Sequence, residues 1–171
     1  AQNNLAVFYM EGMSGHSDEF TAIEWYKKSA DAGYPPAQLA IGLAYIQGTG
    51  VPRADSIKGA QWILKAAEAG NIEAMNNIGV CYFNGIGIEK NYALAMHWYE
   101  KSALGGYAIA QNNLGDCLIN GVGGTVNSEE AVRWYRRAAF QGNVGERVFK
   151  RGEHGGGFAQ LGIDAGHIHF L

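Results

Sequence analysis

The sequence predicts an all-α fold, an α-α superhelix of four antiparallel helix pairs with an irregular C-terminal segment. Three observations predict it. Four tryptophans, Trp25, Trp62, Trp98 and Trp134, stand at intervals of 37, 36 and 36 residues. The same residue types recur in register around each: a small residue three before (Ala22, Gly59, Ala95, Ala131), a base three after (Lys28, Lys65, Lys101, Arg137), an alanine five after (Ala30, Ala67, Ala103, Ala139) and a glycine eight after (Gly33, Gly70, Gly106, Gly142). A shorter apolar segment of helical period precedes each tryptophan, so the unit holds two helices.

The first helix of each unit starts at Ala1, Ala37, Ala74 or Ala110. Four residues on stands Leu5, Ile41, Ile78 or Leu114, followed by Ala6, Gly42, Gly79 or Gly115. Eight from the start stands Tyr9, Tyr45, Tyr82 or Leu118. Offsets of four and eight share one helix face, which predicts about twelve helical residues stopped by Gly12, Gly48, Gly85 or Gly121. The second helix opens near Asp18, Asp55, Asn91 and Ser128, types whose side chains accept the free N–H groups of a first turn. It closes in a base and then a glycine, which suits the helix dipole. The units divide as 1–36, 37–73, 74–109 and 110–142. Residues 143–171 leave the pattern and read as an irregular cap or tail, with Val148, Phe149, Phe158 and Leu161 available to cover the last apolar face. A lone pair of this size cannot bury its own apolar face, whereas stacked pairs can. The tryptophans are expected in that core, each burying a large apolar area.

Composition narrows the function. With 47% hydrophobic residues, 17% charged and a net charge of −3, the chain is too apolar for a disordered tract and lacks the basic balance of a nucleic-acid binder. No apolar run approaches the length of a membrane span. Ala1 already lies inside a predicted helix, so a piece of a longer protein is expected and the compartment stays unknown. Cys81 and Cys117 hold the same position on neighbouring first helices. Packed helices lie about 8–10 Å apart, more than the roughly 7 Å between Cα atoms that a disulfide spans. Two free, buried thiols are expected, and free thiols lean to a reducing compartment, cytoplasm or organelle interior. Gly48-Thr49-Gly50, Gly85-Ile86-Gly87 and Gly121-Val122-Gly123 each follow a helix rather than a strand, so they read as turns needing positive φ and not as phosphate loops. No Ser-His-Asp set, zinc-protease motif, Walker loop or CxxC pair is visible, and His167-Ile168-His169 lacks a carboxylate or cysteine at ligand spacing. No enzyme, cofactor or metal is expected.

The pattern A-x-x-x-[LI]-G-x-x-Y-x-x-G-x-G, then A-x-x-W-Y-x-K-[AS]-A-x-x-G, resembles the SEL-one-like repeat family, the 36-residue relative of the tetratricopeptide repeat. The third unit matches best, with IGVCYFNGIGI and then ALAMHWYEKSALGG. The resemblance covers residues 1–142. It departs at Ser14, where the second loop glycine belongs, at an extra loop residue around Val51–Ala54, at Ile63 in place of Tyr and at Leu118 in place of Tyr. It implies a right-handed superhelix whose first helices line a concave face, and an adaptor or scaffold role in multiprotein assemblies.

On that resemblance, first-helix residues at offsets two and three from the unit start face the groove. They are Asn3 and Asn4, Asn76 and Asn77, and Asn112 and Asn113. Offsets six, nine and ten join them with Asp116, Phe83, Gln47, Asn84 and Asn120. An amide offers two donor hydrogens and an acceptor, so a row of amides can hold an extended peptide backbone whatever its sequence. The alternative reading has one asparagine of each pair bonding within the scaffold near the helix start, where free N–H groups lie. The base after each tryptophan has two readings as well, a stripe for an acidic partner or a complement to the helix end. The expected function is a non-catalytic scaffold presenting the groove to a protein or peptide partner in a larger assembly, with no nucleic acid and no membrane insertion. The alternative is a structural subunit that packs by its convex face and C-terminal segment. An RNA-binding helical repeat ranks third, because Glu11 and Asp116 lie at groove positions.

Overall fold

The computed structural model describes residues 1–13 and 17–141. The readings placed on Ser14, Gly142, the tail histidines and the cap residues of 143–171 lie outside the described residues. Among the described residues eight helices follow one another: α1 (Gln2–Met10), α2 (Glu19–Asp31), α3 (Pro35–Gln47), α4 (Ser56–Glu68), α5 (Ile72–Asn84), α6 (Tyr92–Leu104), α7 (Ala108–Asn120) and α8 (Ser128–Phe140). No strand occurs among the described residues.

The helix ends obey local chemistry. Asp18, Asp55 and Asn91 cap α2, α4 and α6 by accepting the N–H of Thr21, Lys58 and Leu94. The cap of α8 is Asn127, not Ser128. The Asn127 amide accepts the Glu130 N–H at 3.1 Å and donates to Glu130 Oε2 at 3.0 Å, so side chain and backbone of Glu130 are both engaged. The odd-numbered helices α3, α5 and α7 start two residues before the alanine that marks the unit. Pro35 fits the first turn of α3, where no N–H partner is needed, and Asn71 accepts the Ala74 N–H ahead of α5. Each of these helices stops at a left-handed glycine, Gly85 for α5 with φ of 75°.

Each helix packs against the next one in the chain, from α1 on α2 to α7 on α8. The interior accordingly runs as three successive clusters, one across α1–α3, one across α3–α5 and one across α5–α8. Within a pair, the first helix presents a glycine to the residue after the tryptophan. A Cβ at Gly79 would stand 2.7 Å from the Tyr99 ring, and one at Gly115 would stand 2.8 Å from Tyr135. Pairs are also tied by their loops. A Cβ at Gly123 would meet Met96 Sδ at 2.8 Å, on α6 of the preceding pair, and one at Gly87 would collide with the Ser56 carbonyl at the start of α4. The Gly-x-Gly turns are thus contact points between pairs, and their glycines carry the positive φ that the sequence predicts.

The tryptophans are placed differently from expectation. Only Trp134 is buried; Trp25, Trp62 and Trp98 are half-buried. The interior position is the next residue, Tyr26, Ile63 or Tyr99. Each tryptophan lies at the edge of the core with a base over its ring: Lys28 at 4.2 Å, Lys65 at 4.5 Å, Lys101 at 4.8 Å and Arg137 at 4.7 Å. The base three residues on is on the same helix face, and the ring quadrupole attracts it.

Candidate functional site

The candidate residues separate by burial. Asn76, Asn77, Asn113 and Phe83 are buried; Asn3, Gln47, Asn112 and Asp116 are half-buried; Asn4, Asn84 and Asn120 are exposed. The interior asparagines bond within the stack. Asn113 Nδ2 donates to Asn76 Oδ1 at 2.9 Å, tying α7 to α5. This pair joins offset three of one repeat to offset two of the repeat before it. Other junctions lack one member. Asn77 would face Leu39, which has no acceptor, and instead donates to the Glu73 carbonyl of its own helix at 3.1 Å. Asn3 would face Ala40, which has no donor, and Asn3 Oδ1 is buried without a hydrogen bond.

A second polar contact recurs at the same junctions. Gln38 Nε2 donates to the Ala30 carbonyl at 3.3 Å, and Gln111 Nε2 donates to the Ala103 carbonyl at 3.1 Å. In each case a glutamine at the start of a first helix adds a second hydrogen bond to a carbonyl in the last turn of the preceding second helix, which already accepts the N–H of Gly33 or Gly106. Asp116 also serves the scaffold, accepting the Tyr135 hydroxyl at 2.6 Å. The equivalent of Asp116 in the third repeat is Val80, and the buried Tyr99 hydroxyl there has no hydrogen bond.

The last turns of the first helices remain accessible. Asn84 Nδ2 donates to the Val80 carbonyl at 3.2 Å and Asn120 Nδ2 to the Asp116 carbonyl at 2.8 Å, which fixes both amides. Gln47 occupies the same offset in the second repeat, and Ile46 and Ile119 lie half-buried beside this row. Phe83, at the offset of Ile46 and Ile119, turns inward and meets the Tyr92 ring edge-on at 5.1 Å. The two cysteines are free and buried, and burial pushes each thiol up to about 12. Among the described residues no group of histidine, cysteine, aspartate and glutamate side chains could hold a metal ion, and no helix is long and apolar enough to cross a membrane.

Sequence reasoning missed the tryptophan-capping role of the bases and the cross-repeat amide pair. The W-x-x-[KR] spacing carried the first signal. The second needed a comparison of unlike offsets in adjacent units.

Comparison with known proteins gives a consistent result. A family model described as Sel1 repeat matches residues 1–34, 35–71, 72–107 and 108–143. The crystal structure of a Sel1 repeat protein from Oxalobacter formigenes is 30% identical, with a TM-score of 0.78, covering 83% of this chain and 56% of that one. A protective antigen of uropathogenic Escherichia coli strains, displaying an SLR fold, is 36% identical with a TM-score of 0.77, covering 83% of this chain and 30% of that one. The chain therefore spans well under two thirds of either relative. No curated protein matches the chain.

Proposed function

Because the chain belongs to the Sel1 repeat family, whose repeats mediate contacts between proteins, we propose that it is a non-catalytic scaffold that receives a protein or peptide along the last turns of its first helices. The observation that carries this reading is the row Gln47, Asn84 and Asn120. These amides recur at one register of consecutive repeats and stay accessible, with Ile46 and Ile119 beside them. The bonds that hold Asn84 and Asn120 to their own helices use one donor hydrogen each and leave the carbonyl oxygens for a partner. The half-buried isoleucines supply apolar contact, and the amides set register. Asn76, Asn77 and Asn113 support the row from inside and are not part of the contact.

The test is affinity purification with the full chain as bait, beside a Gln47→Ala, Asn84→Ala, Asn120→Ala variant whose melting curve is unchanged. Partners held by the parent and lost by the variant support the reading; identical recovery refutes it. A second reading rests on Phe20 and Ile57, equivalent positions on α2 and α4 that are both more than 60% exposed. Packing through the outer faces of the second helices would survive the triple variant and fail in Phe20→Ser, Ile57→Ser.

A further inference from the structure

We propose that the corner between the start of α5 and the end of α6 docks a partner segment in which a basic residue stands beside a large apolar one, the apolar side chain on Ile72 and Leu104 and the cation at Glu73. The corner lies in the third repeat, with described repeats on both sides. Ile72 is 40% exposed and Leu104 is 66% exposed. Ile72 rests on the turn beside Leu104 because Gly105 leaves room for it: a Cβ at Gly105 would stand 2.6 Å from Ile72 Cγ2. Ser102 Oγ donates to the Ile72 carbonyl at 2.5 Å, which fixes the start of α5 on the last turn of α6. The corner is preorganised, so a partner does not have to order it. The fold does not require these residues. Asp31 and Glu68 hold the place of Leu104 in the two preceding repeats and are exposed, and Pro35 and Ala108 hold the place of Ile72 in the second and fourth.

The charges around the corner select the partner. Glu73 follows Ile72, whereas its equivalents Pro36 and Ile109 carry no charge. It forms no ion pair, since Arg133–Glu129 is the one salt bridge among the described residues. Its charge reaches the neighbouring Tyr107, whose hydroxyl is pushed up to about 12 by burial and then by Glu73. Partial burial also holds the Glu73 carboxyl above its ordinary value, so the carboxylate has lost some of its water and has no cation in exchange. Glu100, one turn before Leu104, and Glu68, at the end of α4, are exposed and add to the acid. The bases of the same two helices are engaged elsewhere: Lys65 sits over the Trp62 ring at 4.5 Å and Lys101 over Trp98 at 4.8 Å. An apolar patch rimmed by unpaired carboxylates attracts a basic, apolar segment and repels an acidic one. This site is separate from the amide row, because Asn84 lies at the far end of α5, about 18 Å away at 1.5 Å per residue.

Panning a phage-displayed library of random short peptides on the full 171-residue chain tests this, with counter-selection on a Glu73→Gln, Leu104→Ser variant. Both sites are exposed, and melting curves check that the variant folds. Peptides held by the parent and not by the variant should carry Lys or Arg next to Leu, Ile or Phe. With one such peptide synthesised and followed by fluorescence anisotropy, Glu73→Gln alone should weaken binding about tenfold, the loss of one charged contact. Added salt should weaken the parent's binding more than that of Glu73→Gln. The Gln47→Ala, Asn84→Ala, Asn120→Ala variant should bind the peptide as the parent does, which separates this outcome from that of the amide row. The proposal is overturned if no peptide distinguishes the parent from the double variant, or if the selected peptides lack a base. Sedimentation that shows two copies pairing, with pairing lost in Leu104→Ser, would put a second copy on the corner and overturn it as well.

Discussion

Tyr99 and Tyr135 occupy the same place in consecutive repeats and differ in what their hydroxyls meet. Asp116 accepts the Tyr135 hydroxyl, while the Tyr99 hydroxyl is buried without a hydrogen bond. A buried polar group loses its water whether or not it finds a partner, so only Tyr135 recovers that cost. Urea unfolding should show Tyr135→Phe costing about 1–2 kcal/mol and Tyr99→Phe within about 0.5 kcal/mol of the parent. Equal losses would contradict the assignment. The thiols give a residue-scale prediction in pH. Burial keeps Cys81 and Cys117 neutral up to about 12, against an ordinary value of 9.0. Between those values the unfolded chain releases its thiol protons and the folded chain keeps them, so stability falls as pH rises from about 9 towards 12. Cys81→Ala with Cys117→Ala should flatten that decline in urea melts taken at pH 8 and 10.5. Native protein at pH 8 should resist iodoacetamide until it is unfolded.

Between elements, register is set by paired groups rather than by helix propensity. Asn113→Ala leaves Asn76 Oδ1 buried without its donor and should cost about 1–3 kcal/mol. Adding Asn76→Leu removes the stranded acceptor and should recover much of that loss, since Leu39 and Ala40 already fill these offsets in the second repeat. Additive losses in the double-mutant cycle would refute the coupling. The glycine facing each tyrosine sets the helix separation. Gly79→Ala gains up to about 1 kcal/mol of helix propensity, but its Cβ must displace the Tyr99 ring, and overpacking of this kind costs about 1–3 kcal/mol. A net loss in the melting curve is expected. Much of this architecture was readable in the sequence. The period gave the eight helices, the loop glycines gave the turns, and the cysteine offsets gave two buried thiols. Which of two adjacent aromatics turns inward was not readable from the period, because Trp98 and Tyr99 differ by a single helical step. The burial of Asn76 and Asn113 was hidden for another reason: their bond joins offsets two and three of different units, which matching one unit against the next does not pair.

For the molecule as a whole, stability is set by neighbours in line. Helices α3 to α7 each have a closely packed chain neighbour on both sides, whereas α1 packs chiefly on α2. In such arrays, local opening starts where neighbours are fewest. Hydrogen exchange read by mass spectrometry should find amides of α1 exchanging fastest and those of α5 among the slowest; uniform protection would argue for one undivided core. The same feature has a consequence for heredity. Among the described residues the extensive helix contacts all join chain neighbours, so a gene segment encoding one pair can be duplicated or lost with only the bordering junction to refit, as Asn113 would meet Leu39 in place of Asn76 if α5 and α6 were lost. Length in such a lineage can drift by whole pairs, one junction at a time.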